Sequence, residues 1–420
     1  MNVRLHYGTT GLDLDLTGLN ATILAPQFLA GLPDEAGAFT DAVRHPIGCR
    51  PLRDQIAATD RVAVVISDGT RPLPSDRLLP WLFAELGHVP KENFTILIGT
   101  GSHRGNTPAE LDAMLSPAVA RGYRVVNHDS TDDDTLAFAG RSALGYDVRF
   151  ARDYVAADRR IILGFIEPHF MAGFSGGFKA VFPGIADLDA IMHYHSAPVI
   201  GDPLSTWGEL ENNPTQRHVR AGGSLLPVDF CVNVTLNTRK QITRYFCGET
   251  LATHRAGCAF VKTTAMVACP RAFPIVVTTN SGFPLDQSLY QTVKGMAAAS
   301  RIVTPGGLIL SAARCNDGFP AHGNFRKLIE ESASARELLD RIMTSRVTVL
   351  DQWQAQHLAM VLIKARVALY SELSDADVRR AHLQPVRDLR GAIDTELAHL
   401  GPDTPIAVLP EGPLTIPYLA

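Results

Sequence analysis

The stretch RVAVVISDGTRPLP at residues 61–74 decides how we expect this chain to fold. Its first half is a nearly continuous apolar, β-branched segment, which is typical of a strand buried on both faces of a parallel sheet. Its second half is a turn rich in Gly and Pro. The same pairing of an apolar segment with a turn recurs along the chain and predicts an α/β protein. The further predicted strands lie at 94–99, 159–166, 274–282 and 301–313, with a weaker candidate at 347–353.

The unusual polar residues follow these predicted strands. Asp68 and Arg71 come after the first, His103 after the second, and His169 and Lys179 after the third. In open α/β sheets the carboxyl ends of the strands line the ligand crevice. We therefore expect these side chains, although distant in sequence, to converge on one site.

The predicted domain boundary lies near Phe273–Pro274, after a mixed stretch from about 200 to 270. It gives an N-terminal α/β domain at 1–274 and a second α/β domain at 275–400. The tail at 401–420, GPDTPIAVLPEGPLTIPYLA, contains five prolines. Proline disfavours helix interiors, so we expect an extended segment that packs back on the N-terminal domain.

The composition excludes several classes of function. The chain is 46% hydrophobic and 20% charged with a net charge of −4, and it lacks the basic stripe expected for nucleic-acid binding. No apolar segment approaches the roughly 20 residues that span a bilayer. The start lacks the features of a signal peptide, so we expect a cytoplasmic protein. Six cysteines without a CxxC pair favour reduced, mostly buried thiols, and any metal would need histidine ligands.

The segment GFSGGFK at 173–179 combines glycines with a lysine. Gly173, Gly176 and Gly177 around Ser175 could let backbone N–H groups approach an anion, although a tight structural turn is an equal alternative. Alanine follows the lysine, so this is not a Walker A loop. A desolvated Lys179 would be a good covalent attachment point.

The histidines and the carboxylate-binding candidates are individually ambiguous. His193 and His195 would face the same side on a strand but diverge on a helix, so we expect only one to be functional. Arg71 is either a clamp for a substrate carboxylate or an exposed turn residue. GTGSHR at 99–104 contains only a fragment of a dinucleotide-binding fingerprint.

Two downstream candidates are also open. Gln291 and Lys294 are three residues apart and would share a helical face, which is either a binding face or a solvated one. Trp353 is either a core residue or part of a site.

Taken together, the motifs carry a resemblance that none carries alone. SDGTRP, GTGSHR, EPHFMAGFSGGFKAVFPG, MHYHS and YQTVKG follow one another across roughly residues 60 to 310. In this order they resemble the nickel-dependent lactate racemase family, whose members carry a nickel-pincer nucleotide. The family fold is two α/β domains, with mostly parallel sheets and the active site in the cleft between them.

The resemblance implies a role for each candidate. Lys179 would form a thioamide with the pyridinium of the cofactor, and His195, not His193, would complete the coordination of nickel. His103 and His169 would be the catalytic histidines. The other implied site residues are Arg71, Gln291 and Lys294 for substrate, Asp68 as a supporting acid, Trp353 near the cofactor, and Gly173, Ser175, Gly176 and Gly177 in the attachment loop.

The implied activity is racemisation or epimerisation of a 2-hydroxy carboxylic acid, such as lactate, malate or another short-chain hydroxy acid. Hydride would pass reversibly to the nickel-pincer nucleotide through a 2-keto acid. The implied partners are this small-molecule substrate and the proteins that synthesise the cofactor, with no nucleic acid or membrane, in a monomer or homodimer. The alternatives are a zinc-dependent hydrolase using His103, His169 and His195, and a non-catalytic carrier of the nickel nucleotide.

Overall fold

A computed structural model describes residues 1–320 and 323–420. The chain divides into two compact units. We call Phe28–His195 with Pro203–Thr264 the central unit. Met1–Gln27, Ser196–Asp202 and Ala265–Ala420 form the terminal unit.

The strands, in chain order, are β1 Asn2–Leu5, β2 Leu12–Asp15, β3 Ala21–Ile23, β4 Val62–Ser67, β5 Phe94–Gly99, β6 Arg124–Asn127, β7 Leu136–Arg141, β8 Asp147–Ala151, β9 Arg159–Phe165, β10 Pro168–His169, β11 Gly173–Phe174, β12 Phe230–Leu236, β13 Ile242–Gly248, β14 Met266–Cys269, β15 Phe273–Thr279, β16 Val303–Ala312, β17 Arg366–Tyr370, β18 Gln384–Val386, β19 Ile406–Leu409 and β20 Ile416–Leu419.

The α-helices are α1 Glu35–Arg44, α2 Ser75–Glu85, α3 Pro108–Leu115, α4 Pro117–Gly122, α5 Arg152–Ala156, α6 Leu188–Tyr194, α7 Ala197–Gly201, α8 Pro214–Gly223, α9 Thr250–Ala265, α10 Leu289–Ser300, α11 Phe325–Glu330, α12 Ala335–Thr344, α13 Gln352–Lys364, α14 Asp375–Arg380 and α15 Leu389–Leu400.

The central unit is built on a sheet with the strand order β13-β12-β9-β4-β5-β6. Its strands pair in parallel except for β13, which runs antiparallel to β12 at the edge. Alternate residues of β4 enter two different apolar cores: Val64 and Ile66 join one, while Ala63 and Val65 join the other. The apolar sequence of β4 therefore reflects burial on both faces, as predicted.

The terminal unit is built on an all-parallel sheet with the order β18-β17-β16-β15-β19-β3. In β15, Ile275 and Val277 face one core and Val276 faces the other. Short two-stranded pairs, β1 with β2 and β14 with β20, complete this unit. The prediction of an α/β protein with mostly parallel sheets is confirmed.

The chain's organisation departs from the prediction at three places, namely the N-terminal residues, the tail and one weak strand. Residues 1–27 and the tail at 401–420 belong with residues 265–420, not with the predicted domain 1–274. The reason is strand addition, since β19 pairs with β15 and β3 pairs with β19 in the terminal sheet. The weak strand candidate at 347–353 is not a strand, because α13 begins at Gln352 and Trp353 lies in its first turn. The central strands predicted at 61–67, 94–99 and 159–166 are present as β4, β5 and β9.

Two expectations from composition can be compared with the described residues. Within residues 1–320 and 323–420, no helix is both long and apolar enough to cross a bilayer. The six cysteines are not paired in disulfides; five of them are buried and Cys49 is partly buried, as expected for mostly buried thiols.

Candidate active site

The central sheet has a topological switch point beside β4. From β4 the chain proceeds through β5 to β6 on one side, and β9 pairs with the other side of β4. Adjacent connections leave in opposite directions at such a point, which opens a crevice at the carboxyl ends of the strands. Asp68 directly follows β4, and Glu167 to Lys179 follow β9. The predicted convergence thus has a topological basis.

Asp68 and His103 form the best-defined pair at this edge. The Nδ1–H of His103 donates to Asp68 Oδ2 at 2.8 Å. Asp68 is 5% exposed, whereas the side chain of His103 retains 46% of its exposure. Burial raises the pKa of the Asp68 carboxyl, but the hydrogen bond and charge of His103 and the charge of Arg71 outweigh it, and the pKa lies below its ordinary value. In neutral His103 this bond leaves the Nε2 lone pair available as a base.

The residues after β4 form a hydrogen-bonded turn. The N–H of Arg71 donates to the carbonyl of Asp68 at 3.2 Å, and the Thr70 hydroxyl donates to Asp68 Oδ1 at 2.6 Å. Arg71 is partly buried and contacts Thr70 through its guanidinium. The charge of Arg71 lowers the pKa of both Asp68 and Lys179, so its guanidinium lies near both side chains.

Two asparagines that the sequence analysis did not single out connect this turn to the His103 loop. Gly69 N–H donates to Asn106 Oδ1 at 3.1 Å, and Asn106 N–H donates to Asn127 Oδ1 at 3.0 Å. Asn127 Nδ2 donates back to the Asn106 carbonyl at 3.0 Å. The sequence offers only a faint signal for them, namely an Asn directly after the Gly of GSHRG and another at the end of β6.

His169 lies in β10, a two-residue strand paired with β11, and is 8% exposed. The backbone N–H groups of Met171 and Ala172 donate to its Nδ1 at 3.3 and 3.2 Å. Its ring stacks on Phe170 with 5.2 Å between centroids. Because Nδ1 accepts hydrogen bonds, the proton of the neutral ring belongs on Nε2.

Lys179 is partly buried in a short 3-10 helix at Gly177–Ala180. Burial, followed by the charge of Arg71, lowers the pKa of the Lys179 amine to about 7, against the opposing charges of Glu167 and Asp68. An amine with a lowered pKa loses its proton more readily and is a better nucleophile than an ordinary lysine. This 3-10 helix is only four residues long, so it adds little of the dipole that a full α-helix would provide.

The loop before Lys179 is packed closely against the protein itself. A Cβ on Gly173 would lie 1.8 Å from the carbonyl oxygen of Glu209, so only glycine fits there. The hydroxyl of Ser175 donates to Phe165 O at 2.7 Å and accepts from Glu167 N–H at 2.9 Å. These two residues, predicted to bind cofactor, therefore have structural roles in shaping the loop.

His193 and His195 diverge, as expected for a helix. His193 lies in α6, is exposed and stacks on Tyr146 with 4.5 Å between ring centroids. His195 caps that helix, is 7% exposed, and its Nδ1–H donates to the Ile191 carbonyl at 3.1 Å. Burial, together with the charge of Lys179, holds the pKa of His195 well below its ordinary value. A neutral ring protonated on Nδ1 is the form in which imidazole binds a metal through Nε2.

The remaining predicted residues lie in the terminal unit. Lys294 Nζ donates to Gln291 Oε1 at 2.6 Å, which confirms that the two share one face of α10. Trp353 is 5% exposed, and its Nε1–H donates to the hydroxyl of Tyr290 at 3.0 Å. All three predicted residues thus gather around the first turns of α10 and α13 within this unit.

The three-histidine zinc site of the hydrolase alternative is not formed. In the part of the chain that the structure describes, no group of three or more His, Cys, Asp and Glu side chains is arranged to hold a metal ion. A metal bound by His195 would need most of its ligands from another molecule.

Comparison with known protein families decides the assignment. Residues 7–208 match the lactate racemase N-terminal domain, and residues 270–416 match the lactate racemase C-terminal domain. The lactate racemase of Thermoanaerobacterium thermosaccharolyticum is 33% identical over 419 residues, covering 98% of both chains. The chain belongs to the lactate racemase family. It is accordingly an enzyme, an isomerase of the racemase type.

Further relatives agree with this membership. The lactate racemase of Lactiplantibacillus plantarum is 35% identical over 372 residues, covering 88% of this chain and 87% of that one. The structure of the lactate racemase apoprotein from Thermoanaerobacterium thermosaccharolyticum superimposes with a TM-score of 0.94, covering 99% of this chain and all of that one. A crystal structure from Thermotoga maritima, 17% identical, shares the fold with a TM-score of 0.70 over 94% of this chain and all of that one.

Proposed function

We propose that this racemase interconverts the enantiomers of lactate or a related short-chain 2-hydroxy acid, using a nickel-pincer nucleotide joined to Lys179. Family membership supports the reaction class, and the relatives named as lactate racemases support the substrate. The observation that carries the cofactor assignment is the placement of Lys179, which is partly buried and follows the glycine loop after β9.

The chain's side chains fit such a cofactor. An amine whose pKa is lowered by burial suits a covalent bond to a thiocarboxylic acid, whereas an ordinary surface lysine is almost fully protonated at neutral pH. His195 offers a buried neutral imidazole, with its Nδ1 proton held by Ile191. One histidine is enough if the remaining nickel ligands belong to the nucleotide, which agrees with the lack of a three-ligand cluster among the described residues.

The chemistry explains why a redox cofactor is needed. The C2 hydrogen of a 2-hydroxy carboxylate is too weakly acidic for a histidine to remove as a proton. The bound nucleotide supplies a hydride-accepting centre, so that the alcohol is oxidised transiently to a planar 2-keto acid. Every other task, namely binding, orientation and proton transfer, is left to the side chains of the protein.

His103 and His169 are the proposed proton carriers. Inversion at C2 needs a group for the hydroxyl on each side, and two histidines meet that need. His103 takes the hydroxyl proton at Nε2, and Asp68 stabilises the resulting imidazolium through Nδ1–H. His169 is the candidate for the hydroxyl of the other enantiomer. To accept a proton at Nε2 its neutral ring must carry its own proton on Nδ1, so the N–H groups of Met171 and Ala172 must turn away from Nδ1 during the reaction. Arg71 is the proposed clamp for the substrate carboxylate, with Gln291 and Lys294 as further substrate-binding residues.

The proposal is tested by analysing protein produced together with the cofactor-synthesis proteins. Peptide mass spectrometry should find a nucleotide adduct on Lys179, and metal analysis should find nickel. His195→Ala should lose or weaken nickel binding, while His193→Ala, whose ring stacks on Tyr146, should retain it. An unmodified Lys179 in an otherwise active, nickel-independent enzyme would overturn the proposal. Nickel binding that is retained in His195→Ala and lost in His193→Ala would refute the ligand assignment.

A further inference from the structure

The loop that presents Lys179 is held from behind by two buried side chains from distant parts of the chain. Asn233 lies in the middle of β12 and is 0% exposed. His254 lies in α9 and is 2% exposed. Burying a polar side chain is unfavourable unless its hydrogen bonds are made, so the partners of these two residues explain their presence.

Asn233 interrupts the apolar strand FCVNVTL and bonds the loop backbone. Its Oδ1 accepts from the N–H of Gly177 at 3.0 Å, and its Nδ2 donates to Cys231 Sγ at 3.0 Å. A Cβ on Gly164 in β9 would lie 2.5 Å from Asn233 Oδ1. The glycine within β9 therefore makes room for this amide.

His254 bonds the loop on the other side of Gly176. Its Nε2–H donates to the carbonyl of Ser175 at 2.9 Å. Burial lowers the pKa of His254 to about 4, although the bond to Ser175 opposes this shift, so the ring is a neutral donor at neutral pH. A Cβ on Gly177 would lie 2.7 Å from His254 Cγ, so the ring occupies the space that a side chain there would need.

The bonds made by Asn233 and His254 lie on either side of Gly176, whose carbonyl accepts a hydrogen bond from the backbone of Lys179. Ser175 and Gly177 flank Gly176, which has a φ of +82°. The N–H of Lys179 donates to the carbonyl of Gly176 at 3.2 Å. Displacing either buried side chain would thus free the backbone from which Lys179 extends.

We infer that Asn233 and His254 are positioning residues for Lys179, which hold the glycine loop so that the amine stays in the partly buried position from which a nucleotide is attached. The attachment rests on the proposed function, but the position of the amine is measurable in the unloaded chain.

The test is competitive acetylation of Lys179 in the unloaded full-length protein between pH 5 and 10, quantified by peptide mass spectrometry. Wild type should show half-maximal reactivity near pH 7. In His254→Asn the side-chain amide is too short to reach the position of the imidazole Nε2, so it cannot donate to Ser175 O. The longer amide in His254→Gln can reach that position. We expect His254→Asn to raise the midpoint by at least about one unit, lowering the unprotonated amine at pH 7 about fivefold. His254→Gln should stay near the wild-type midpoint.

The matched control is His88→Asn. His88 lies in the same unit, between α2 and β5, and its Nε2–H donates to the carbonyl of Ile56 at 2.8 Å, a bond of the same kind away from the loop. This variant should lose stability without moving the Lys179 midpoint. Asn233→Leu removes the other bond and should raise the midpoint as His254→Asn does.

Two outcomes would overturn the inference. One is a wild-type midpoint in both His254→Asn and Asn233→Leu. The other is an equal shift in His88→Asn, which would make the effect a general loss of stability. Absence of a nucleotide on wild-type Lys179 would instead contradict the proposed function, and the labelling midpoints would still decide the positioning role.

Discussion

His103 and His169, the two proposed proton carriers, follow strands on either side of β4 but have unlike surroundings. His103 is half exposed and donates to the buried carboxylate of Asp68 at 2.8 Å. His169 is buried and accepts from two backbone N–H groups at 3.3 and 3.2 Å. A carboxylate stabilises a protonated ring, whereas N–H donors at Nδ1 stabilise a neutral one. Under the proposed function, a substrate would therefore meet two unlike proton carriers.

This contrast has a consequence for what can be measured. Two enantiomers have equal free energies, so kcat/KM must be the same in both directions whatever the histidines do. The difference between His103 and His169 therefore cannot appear in this ratio, although it can appear in the separate steps. Single-turnover oxidation of each enantiomer is the experiment that resolves it.

The largest expected effect comes from removing the covalent link to the cofactor, on which the reaction at both histidines depends. Lys179→Ala should abolish racemisation without unfolding the protein, because the covalent link to the cofactor is lost. Lys262→Ala, an exposed lysine of the same unit, is the matched control and should stay fully active. Chiral chromatography of the product measures both. Nickel-dependent racemisation near the wild-type rate in Lys179→Ala would rule out the attachment.

The next effect separates the two histidines. Loss of a general base costs about a hundred- to ten-thousand-fold, so either His103→Ala or His169→Ala should block the full cycle. In single-turnover reduction of the cofactor, each variant should be impaired with one enantiomer and less so with the other. Equal impairment with both enantiomers would leave no support for one base per face, and normal racemisation by either variant would disprove it.

A smaller effect tests the source of the contrast. Asp68→Asn removes the charge that stabilises protonated His103, and a hydrogen bond to a charged group contributes about 1.5–3 kcal/mol. Oxidation of the enantiomer that depends on His103 should slow by about ten- to a hundredfold, with the other enantiomer much less affected. Asp129→Asn is the control, because Asp129 bonds Thr131 as Asp68 bonds Thr70. Equal slowing in the two variants would contradict a specific role of Asp68 in stabilising protonated His103.

The smallest effect concerns the stability of the unloaded chain. The pKa of Lys179 falls from 10.5 to about 7 on folding, chiefly through burial. Between these values the unfolded chain binds more protons, so stability rises with pH from about 7 and the penalty is fully present below it. Lys179→Met should therefore raise Tm at pH 6 by a few degrees, and the excess should shrink by pH 9. A pH-independent difference in thermal melts would contradict a lowered Lys179 pKa.

Much of the fold could be predicted from the sequence because burial on both faces leaves a continuous apolar signature. The strands β4, β5 and β9 and the α/β class follow from it. The chain's division into units did not follow, because β3 is a three-residue edge strand with no buried residue and joins the sheet through β19. Pairing between chain ends is a tertiary choice that local pattern does not encode.

The candidate site divides in the same way. The placement of Asp68, His103 and Lys179 at one edge of the central sheet was predictable because the carboxyl ends of parallel strands meet at the same edge. The supporting residues were not, since Asn233 and His254 acquire their significance only through bonds to a loop more than 50 residues away. A single asparagine in an apolar strand was the only available sign.

The most direct test of the central claim follows the hydrogen at C2. Racemising 2-deuterated lactate in ordinary water, to partial conversion, allows deuterium in the newly formed enantiomer to be measured by mass spectrometry. If the C2 hydrogen passes to the cofactor as hydride and returns to the same carbon without exchanging with water, deuterium is retained in that product. Replacement of the deuterium by solvent hydrogen would show removal of C2 hydrogen as a proton and would contradict the account.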